Sequence, residues 1–384
     1  MTTLERVAIV TESFLPTLNG VTTSVCRVLD HLIDRGIEAI VITPRCGAPM
    51  QYRGAPVYEV PSFSYRDFPV GLPNQAVQSL LQRFQPDIVH VASPFLLGAN
   101  AISVAKRLGI PSVAIYQTDV AAYAQRNHLG LAKPAVWALL RSIHNGADRT
   151  LAPSSAALED LATAGVQRTH LWRRGVDLGA FHPDRKFQDR TAALRSAAAP
   201  TGTVVVGYVG RLAPEKSLHN LALLEGIKNI KVVIVGDGPA RPSLQQSLKK
   251  LDPLWLGALE GDELSTAYAS FDVFVHTGEE ETFGQTLQEA AASGLPVIAP
   301  AKGGPLDLVT HGITGFLYDP NTLRSLTASV SALVRSRELR ARMGEAGRRA
   351  VLQRSWDVVA GELLEHYAAV LDERSTRQIS SVPA

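Results

Sequence analysis

Carboxylates, glycines and a helix start are concentrated between residues 278 and 289. The chain reads Gly278-Glu-Glu-Glu-Thr-Phe-Gly-Gln-Thr-Leu-Gln-Glu289 there, and Gly294-Leu-Pro-Val-Ile-Ala299 follows. A loop that leads into a helix presents free backbone N–H groups and the positive end of the helix dipole, and together these bind a phosphate. Glu281 precedes the expected helix start, and Glu289 lies about two turns inside the helix. The segment therefore predicts an anion site flanked by carboxylates.

Carboxylates do not bind anions, so their presence here requires a ligand with more than phosphate groups. Hydroxyl groups of a sugar and of a ribose, both attached to the phosphate, would donate hydrogen bonds to Glu281 and Glu289. This interpretation predicts a nucleotide-sugar site. The alternative is a solvated acidic loop that caps an ordinary helix.

Two cations follow an apolar run earlier in the same half of the chain. Arg211 and Lys216 lie in Val209-Gly-Arg-Leu-Ala-Pro-Glu-Lys216, and Pro214 predicts a helix start. Arginine binds phosphate in a bidentate manner, and lysine adds a compact charge. Fixed cations and helix N–H groups would stabilise a departing diphosphate without a metal. The alternative is a surface ion pair with Glu215, which would contribute little to stability.

Short apolar runs alternate with helical patterns along the whole chain, and this alternation predicts parallel sheets covered by helices. The predicted strands span residues 7–11, 39–43, 88–91, 112–116 and 150–152, and then 204–209, 231–235, 273–276, 296–299 and 315–317. We expect two domains, 1–184 and 204–355, joined by a polar and alanine-rich linker, 185–203. A helix at 356–372 would return to the first domain, and 373–384 would form a flexible tail.

The composition is typical of a globular protein with little affinity for nucleic acid. The chain has 384 residues, of which 46% are hydrophobic and 19% charged, with a net charge of +2. Its two cysteines are too few for a disulfide framework, and no acidic or histidine cluster has metal-ligand spacing. We expect no membrane span and no signal peptide, a cytoplasmic location, and a reaction that needs no metal or cofactor.

The combined pattern resembles the family 4 retaining glycosyltransferases, which have the GT-B fold of two Rossmann-like domains facing across a cleft. The resemblance spans most of the chain and is densest from Gly207 to Phe316. Its landmarks are Asn19-Gly20-Val21, Arg174-Gly-Val-Asp177, Gly210-Arg211, Glu215-Lys216, Gly236-Asp-Gly-Pro239, the Glu281-x7-Glu289 pair and Gly303-Gly304.

The resemblance implies a role for each landmark. It implies that Arg211 and Lys216 hold the donor diphosphate, that Glu281 meets the sugar hydroxyls and that Glu289 meets the ribose. Backbone groups near the helix start would complete the donor site, and Gly20 would let the first-domain backbone approach the donor. The implied donor-binding residues are Asn19, Gly20, Gly210, Asp237, Gly238, Thr282, Phe283, Gly284, Gln285, Thr286 and Glu289.

Within the family, Tyr116-Gln-Thr-Asp119 and Val275-His-Thr-Gly278 look most like actinobacterial GDP-mannose-dependent α-mannosyltransferases. That resemblance implies mannose transfer from GDP-mannose to a glycolipid acceptor, in the synthesis of cell-envelope glycolipid or lipomannan. A UDP-sugar-dependent glucosyl- or sulfoquinovosyltransferase is the nearest alternative. An epimerase or hydrolase of the same fold and a non-catalytic sensor of nucleotide sugars remain open. The missing GxGxxG motif disfavours a dehydrogenase.

One position departs from the family pattern. Many members carry histidine near the reacting centre where this chain has Gln117, and glutamine cannot act as a general base. Asp119 is the first candidate to replace it, and His128 is the second. In a third possibility no protein base is needed, because the departing phosphate takes the acceptor proton. For His90, at a strand end, the sequence likewise does not decide between a catalytic and a structural role.

The acceptor side has a weaker signature. Residues 57–73 form a predicted irregular stretch that contains Tyr58, Phe63, Tyr65, Arg66 and Phe68. In a second segment, 133–141, Trp137 lies between cations. Aromatic and basic side chains on one face bind an anionic membrane surface, which predicts peripheral contact with the inner membrane face. For Trp137 the alternative is ordinary core packing.

Overall fold

The computed structural model of this protein describes residues 4–65, 68–72, 75–92, 94–117 and 133–380. The chain forms two compact units. The first contains the chain up to Arg174 and the segment from Asp357 onward, and the second runs from Gly175 to Trp356. Each unit is an α/β fold around its own parallel sheet, as the alternation of strands and helices predicts.

The first unit is built on an eight-stranded sheet. Its strands are β1 Arg6–Val10, β2 Glu38–Pro44, β3 Gln51–Tyr52, β4 Ala55–Val60, β7 Ile88–Val91, β8 Ser112–Ile115, β9 Arg149–Ala152 and β10 Thr169–Leu171. A separate hairpin consists of β5 Ser62–Tyr65 and β6 Phe68–Gly71. The strand order is β10-β9-β8-β7-β1-β2-β4-β3, and only the β3–β4 pair is antiparallel. Strands β2 to β4 are therefore added on one side of β1, and strands β7 to β10 are added on the other side.

Five helices cover this sheet within the described part of the first unit, before the C-terminal one. They are α1 Gly20–Asp34, α2 Gln75–Phe84, α3 Leu96–Leu108, α4 Lys133–Gly146 and α5 Ser155–Thr163. Asn19 caps α1, since its side chain accepts hydrogen bonds from the N–H groups of Val21 and Thr22. Helix α3 ends at Gly109, whose φ of 72° is left-handed.

The second unit contains a six-stranded parallel sheet. Its strands are β11 Val204–Val209, β12 Ile230–Val235, β13 Leu254–Gly257, β14 Val273–Val275, β15 Val297–Pro300 and β16 Gly315–Tyr318, in the order β13-β12-β11-β14-β15-β16. The helices are α6 Asp189–Ala198, α7 Arg241–Ser247, α8 Gly261–Ala269, α9 Gln285–Ala292, α10 Pro305–Leu308, α11 Arg324–Arg335 and α12 Arg337–Val351. All six residues of β11 are buried, as expected for a strand covered on both faces.

The boundary between the units differs from the predicted one. Residues 185–203 are not a linker, because Ala198, the last residue of α6, and the following Ala199 pack into the core of the second unit. Ion pairs also anchor the segment, with Arg185 Nη1 2.5 Å from Asp262 Oδ1 and Arg195 Nη1 2.6 Å from Asp272 Oδ2. The first crossover lies between residues 174 and 175, earlier than the expected end of the first domain at 184.

The predicted flexible tail is also different in the structure. Helix α13, Trp356–Ser380, continues through residues 373–380, and most of it belongs to the first unit. Glu373 Oε1 accepts a hydrogen bond of 2.5 Å from Arg149, and Arg374 Nε lies 2.9 Å from Asp148 Oδ1. These contacts explain why the helix does not end near residue 372.

The stretch at 57–73, of which Arg66 and residues 67 and 73 lie outside the described residues, is regular where it is described. It contains β4 and the β5–β6 hairpin, in which Phe63 pairs with Val70. The described side chains of this region include Phe63, which is 44% exposed. No helix in the described ranges is both long enough and apolar enough to span a bilayer.

Candidate active site

The strand order of the second unit brings the loops after β11 and β14 together. These two strands are neighbours, with Val206 opposite Val273 and Gly207 opposite Phe274. The order in which successive strands are added to the sheet reverses at this pair, since β12 lies on the other side of β11. Ligands of open α/β sheets bind at such a point, outside the carboxyl ends of the strands. The loop with Arg211 and Lys216 and the loop with Glu281 both begin there.

The loop after β11 lies against the loop after β12 at two glycines. A Cβ at Gly236 would be 1.9 Å from Gly210 O, and one at Gly238 would be 2.4 Å from Leu212 O. Asp237 is engaged within its own loop, where its carboxylate accepts 2.7 Å hydrogen bonds from Gly238 N and Arg241 Nη1. These two donors lower the pKa of Asp237. Asp237 therefore stabilises the turn beside the predicted phosphate site.

Lys216 and Glu281 form an ion pair between the two loops. Lys216 Nζ lies 2.7 Å from Glu281 Oε2, and both side chains are about four-fifths buried, with exposures of 21% and 19%. The Thr277 hydroxyl donates to Lys216 O at 2.6 Å, so the loop backbones are joined as well. His276 Nε2 lies 3.6 Å from the same Glu281 oxygen. Burial lowers the pKa of His276 to about 4, so this ring is neutral at physiological pH.

Helix α9 begins immediately after the Glu281 loop. Gly284 precedes its first turn with a φ of 103°, a left-handed value that favours glycine. The N–H groups of Gln285 and Thr286 have no acceptor inside the helix because they belong to its first turn. Gly304 N donates to Glu281 O at 2.7 Å and holds the loop in place. The local backbone thus has the form that the sequence predicted for a phosphate site.

Glu289 lies inside α9 on a partly exposed position. Its Oε2 accepts a 2.9 Å hydrogen bond from the hydroxyl of Tyr268, a residue of α8 that is fully buried. Burial raises the pKa of Glu289 to about 7, although hydrogen bonds from Tyr268 and Gln285 act in the opposite direction. The carboxylate therefore changes its charge near neutral pH.

Arg211 differs from Lys216 in its surroundings. It is exposed, and within the described ranges its guanidinium makes no hydrogen bond or ion pair. Its backbone carbonyl accepts a 3.4 Å hydrogen bond from the buried Tyr208 hydroxyl. The five donors of the guanidinium are accordingly available to a ligand at the end of β11.

The site residues of the first unit follow strands β1 and β8, at the carboxyl ends of two strands of its sheet. Asn19 Nδ2 donates to Ser13 Oγ at 2.7 Å, which fixes the loop before α1. A Cβ at Gly20 would be only 2.5 Å from Arg174 Nη1, so only glycine fits beneath this guanidinium without displacing it. The backbone of α1 and a cation thus lie together.

The carboxamide of Gln117 is engaged at both ends. Its Nε2 donates to Ala92 O at 2.8 Å, and its oxygen accepts a hydrogen bond from Arg174 Nη2. Gln117 is buried and holds Arg174 in place, which is a structural task that its family position did not suggest. Asp119 and His128, the two candidate replacements for the usual histidine, lie outside the described residues.

Other sequence candidates have structural roles. His90 is buried and bonds through Nδ1 to the Tyr367 hydroxyl at 2.6 Å, and burial lowers its pKa to about 3. Trp137 stacks on Tyr116 with ring centroids 6.5 Å apart, which agrees with core packing for this ring. Within the described ranges, no group of three or more His, Cys, Asp or Glu side chains could hold a metal ion.

Sequence reasoning missed Tyr268 and His276 as neighbours of the two glutamates. His276 was visible only as part of a family-like motif. Tyr268 had no signal at all, because a tyrosine in an amphipathic helix is typical of a protein core. Arg174 is one of the landmarks of the family pattern, but its contacts with Gly20 and Gln117 depend on the fold.

Comparison with known proteins places this geometry among glycosyl transferases. Residues 18–180 match the family described as Glycosyltransferase Family 4, and residues 189–350 match Glycosyl transferases group 1. A GDP-mannose-dependent alpha-mannosyltransferase of Mycolicibacterium smegmatis is 49% identical, with 97% of this chain and 99% of the relative covered. A protein of the same name from Corynebacterium glutamicum is 43% identical, with 95% and 89% covered.

The solved structures agree on the fold. Anabaena Alr3699/HepE in complex with UDP superposes with a TM-score of 0.79 at 20% sequence identity, and covers 95% of this chain and 100% of its own. The expected GT-B fold class is confirmed by this likeness and by the two parallel-sheet units.

Proposed function

This chain belongs to glycosyltransferase family 4, and from that premise we propose that it transfers mannose from GDP-mannose to the hydroxyl of a glycolipid acceptor with retention of anomeric configuration. The donor assignment is supported by the names of relatives at 43–49% identity over nearly the whole chain. The lipid acceptor is supported by the family resemblance and by the exposed apolar side chains of Phe63 and Leu72 at the β5–β6 hairpin.

The observation that carries the proposal is the ion pair that joins Lys216, in the loop after β11, to Glu281, in the loop that leads into helix α9. A diphosphate at the helix start would meet the N–H groups of Gln285 and Thr286, with the Lys216 ammonium on one side. In this arrangement Lys216 exchanges its ion pair with Glu281 for the phosphate, and the freed carboxylate accepts hydrogen bonds from sugar hydroxyls. Arg211, which is exposed at the same strand end, adds the second cation.

The reaction breaks the bond between the sugar anomeric carbon and the diphosphate oxygen. The acceptor hydroxyl oxygen forms the new bond to that carbon, and the hydroxyl proton passes to the departing diphosphate. Cations and helix N–H groups stabilise the charge that develops on the leaving group, so their effect is larger in the transition state than in the ground state. This route assigns no proton transfer to Gln117, whose amide cannot take one. It also requires no metal ion or other cofactor.

A donor and acceptor screen tests the proposal. Purified protein is incubated with GDP-mannose, UDP-glucose or UDP-sulfoquinovose, with and without membrane lipid extract. We expect GDP release and a mannosylated lipid only with GDP-mannose and extract together. If sugar is transferred from a UDP-sugar and not from GDP-mannose, the donor is that UDP-sugar. Turnover of GDP-mannose without an acceptor would favour an epimerase or hydrolase.

Cellular location follows from the same proposal. A lipid acceptor requires contact with the membrane, and a nucleotide-sugar donor places the reaction on the cytoplasmic side. We expect peripheral binding to the inner membrane face. Co-sedimentation of the protein with vesicles that contain anionic lipid, compared with neutral vesicles, measures this binding. If the protein sediments with neither kind of vesicle, the proposed membrane binding is wrong.

A further inference from the structure

The proposed reaction assigns no role to Tyr268, a residue of the second unit. It lies near the end of helix α8, and its side chain is fully buried. Three aromatic rings surround it: Phe181 at 5.3 Å, Phe274 at 5.6 Å and Phe271 at 6.0 Å between ring centroids. Because these rings come from different segments, the tyrosine ring has one fixed position.

The hydroxyl of this ring is directed at helix α9. It lies 2.9 Å from Glu289 Oε2 and 3.3 Å from Thr286 O. A phenol has one proton to donate, and the shorter contact to the charged carboxylate receives it. Both acceptors belong to the first two turns of the helix that starts the phosphate site. The buried hydroxyl therefore lies against both the helix start and the carboxylate, and its one donated hydrogen bond orients the carboxylate.

Packing alone does not explain a hydroxyl at this position. Phenylalanine would fill the same aromatic surroundings, and a buried hydroxyl costs free energy unless it is hydrogen-bonded. The benefit of the hydroxyl is its bond to Glu289. Gln285 also favours the charged carboxylate, while its own Nε2 donates to Gly175 O at 3.1 Å. Of these two neighbours, only Tyr268 is itself held on all sides.

A carboxylate held in this way can select a ligand. The hydrogen bonds from Tyr268 and Gln285 use only part of the capacity of the Glu289 carboxylate, which has about four acceptor positions. The side chain is partly exposed, so it can accept further hydrogen bonds from a ligand. We propose that Tyr268 is a positioning residue that orients Glu289 to accept hydrogen bonds from ribose hydroxyls, and thereby makes the site select ribonucleotide over deoxyribonucleotide donors. This inference rests on the proposed function and on the contact between Glu289 and the ribose that the family resemblance implies.

The test compares binding of GDP, 2′-deoxy-GDP and 3′-deoxy-GDP by isothermal titration calorimetry, so it needs no acceptor. For the wild type we expect at least one deoxy nucleotide to bind about tenfold more weakly than GDP, the scale of one hydrogen bond to a charged group. In Tyr268→Phe we expect GDP to lose about tenfold in affinity while that deoxy nucleotide changes little. The ratio of the two dissociation constants would then approach one.

Tyr367→Phe is the matched control. It removes another fully buried tyrosine hydroxyl, bonded to His90 in the first unit at 2.6 Å. Both variants keep the ring, so we expect both to fold with slightly lower melting temperatures, and only Tyr268→Phe to change the ratio. With GDP-mannose, Tyr268→Phe should raise KM for the donor more than it lowers kcat.

Glu289→Gln separates failure of this inference from failure of the proposed function. If Glu289→Gln abolishes the preference for GDP and Tyr268→Phe retains it, Tyr268 has no positioning role and the inference is overturned. If Glu289→Gln itself retains the wild-type preference, the ribose assignment of Glu289 fails, whatever Tyr268 does. If Tyr268→Phe loses its fold, the calorimetric ratio is measured on Tyr268→Met, with the same two outcomes.

Discussion

Gly304 offers the sharpest test of the donor-site geometry, because alanine there changes sterics alone. Its backbone has φ −54° and ψ −36°, an ordinary right-handed conformation that alanine adopts without strain. A Cβ at this position would nevertheless lie 2.2 Å from Phe283 O and 2.6 Å from Phe283 Cα. Both are backbone atoms, so no side-chain rotation relieves the contact.

The size of the effect follows from the displacement. The backbone at Phe283 must move by roughly 1 Å, and a misplacement of that size costs on the order of 10²-fold in rate. This corresponds to about 2.7 kcal/mol of transition-state stabilisation. The hydrogen bond from Gly304 N to Glu281 O, 2.7 Å long, would be distorted by the same movement. We expect kcat/KM for GDP-mannose to fall by about 10²-fold in Gly304→Ala.

Initial rates of mannosyl transfer to membrane lipid extract measure the change, together with thermal melting. Gly361→Ala is the control, since Gly361 lies in α13 and a Cβ there meets nothing within 4 Å. Alanine in a helix interior is favoured over glycine by about 1 kcal/mol, so this variant should be fully active and at least as stable. A Gly304→Ala enzyme with wild-type kcat/KM and an unchanged fold would refute the assigned phosphate loop.

Three further predictions concern charged groups. Arg211→Ala should lower kcat by roughly 10²–10³. Because the Arg211 guanidinium has no partner within the described ranges, the melting temperature should not change. A loss of stability without a loss of rate would contradict this prediction. The pKa of Glu289, raised to about 7, predicts that GDP affinity decreases as pH falls from 8 to 6. The affinity of Glu289→Gln for GDP should depend less on pH. Parallel pH profiles of the two proteins would contradict a role of Glu289 in binding GDP. Burial raises the pKa of Glu12 to about 7 from 4.5, so its contribution to stability is complete below pH 4.5 and is lost as pH rises through 7, by about 3 kcal/mol. Urea unfolding between pH 5 and 8 should show this decline in the wild type and not in Glu12→Gln.

Local patterns were sufficient for most of the secondary structure near the site. Continuous apolar runs predicted β7 and β11 with their observed bounds, since both strands are buried on both faces and consist mostly of valine and isoleucine. Punctuation by Gly284 and the following helix formers predicted the start of α9. The hairpin β5–β6 was missed, because its short alternating strands contain the polar and proline residues that are also typical of loops.

Domain limits could not be derived in the same way. The segment at 185–203 is polar and rich in alanine, and this composition fits either a linker or a surface helix. Ala198 and the ion pair of Arg185 with Asp262 place α6 on the second unit, and Asp262 is distant in sequence. The C-terminal helix likewise extends past residue 372 through partners, Arg149 and Asp148, that lie in another part of the chain.

The sequence by itself determined that the two cations and the two glutamates follow strands of one parallel sheet, because motif spacing and strand ends are local properties. That these strands are neighbours was decided by the tertiary structure. Only the tertiary structure decided what surrounds each carboxylate: Lys216 beside Glu281, and the buried Tyr268 beside Glu289. The hydrogen bond between Gln117 and Arg174 also depends on the tertiary structure. Such contacts join residues far apart along the chain, and their geometry depends on how the helices pack on the sheet. The pKa of a carboxylate and its orientation toward a ligand are therefore set by packing.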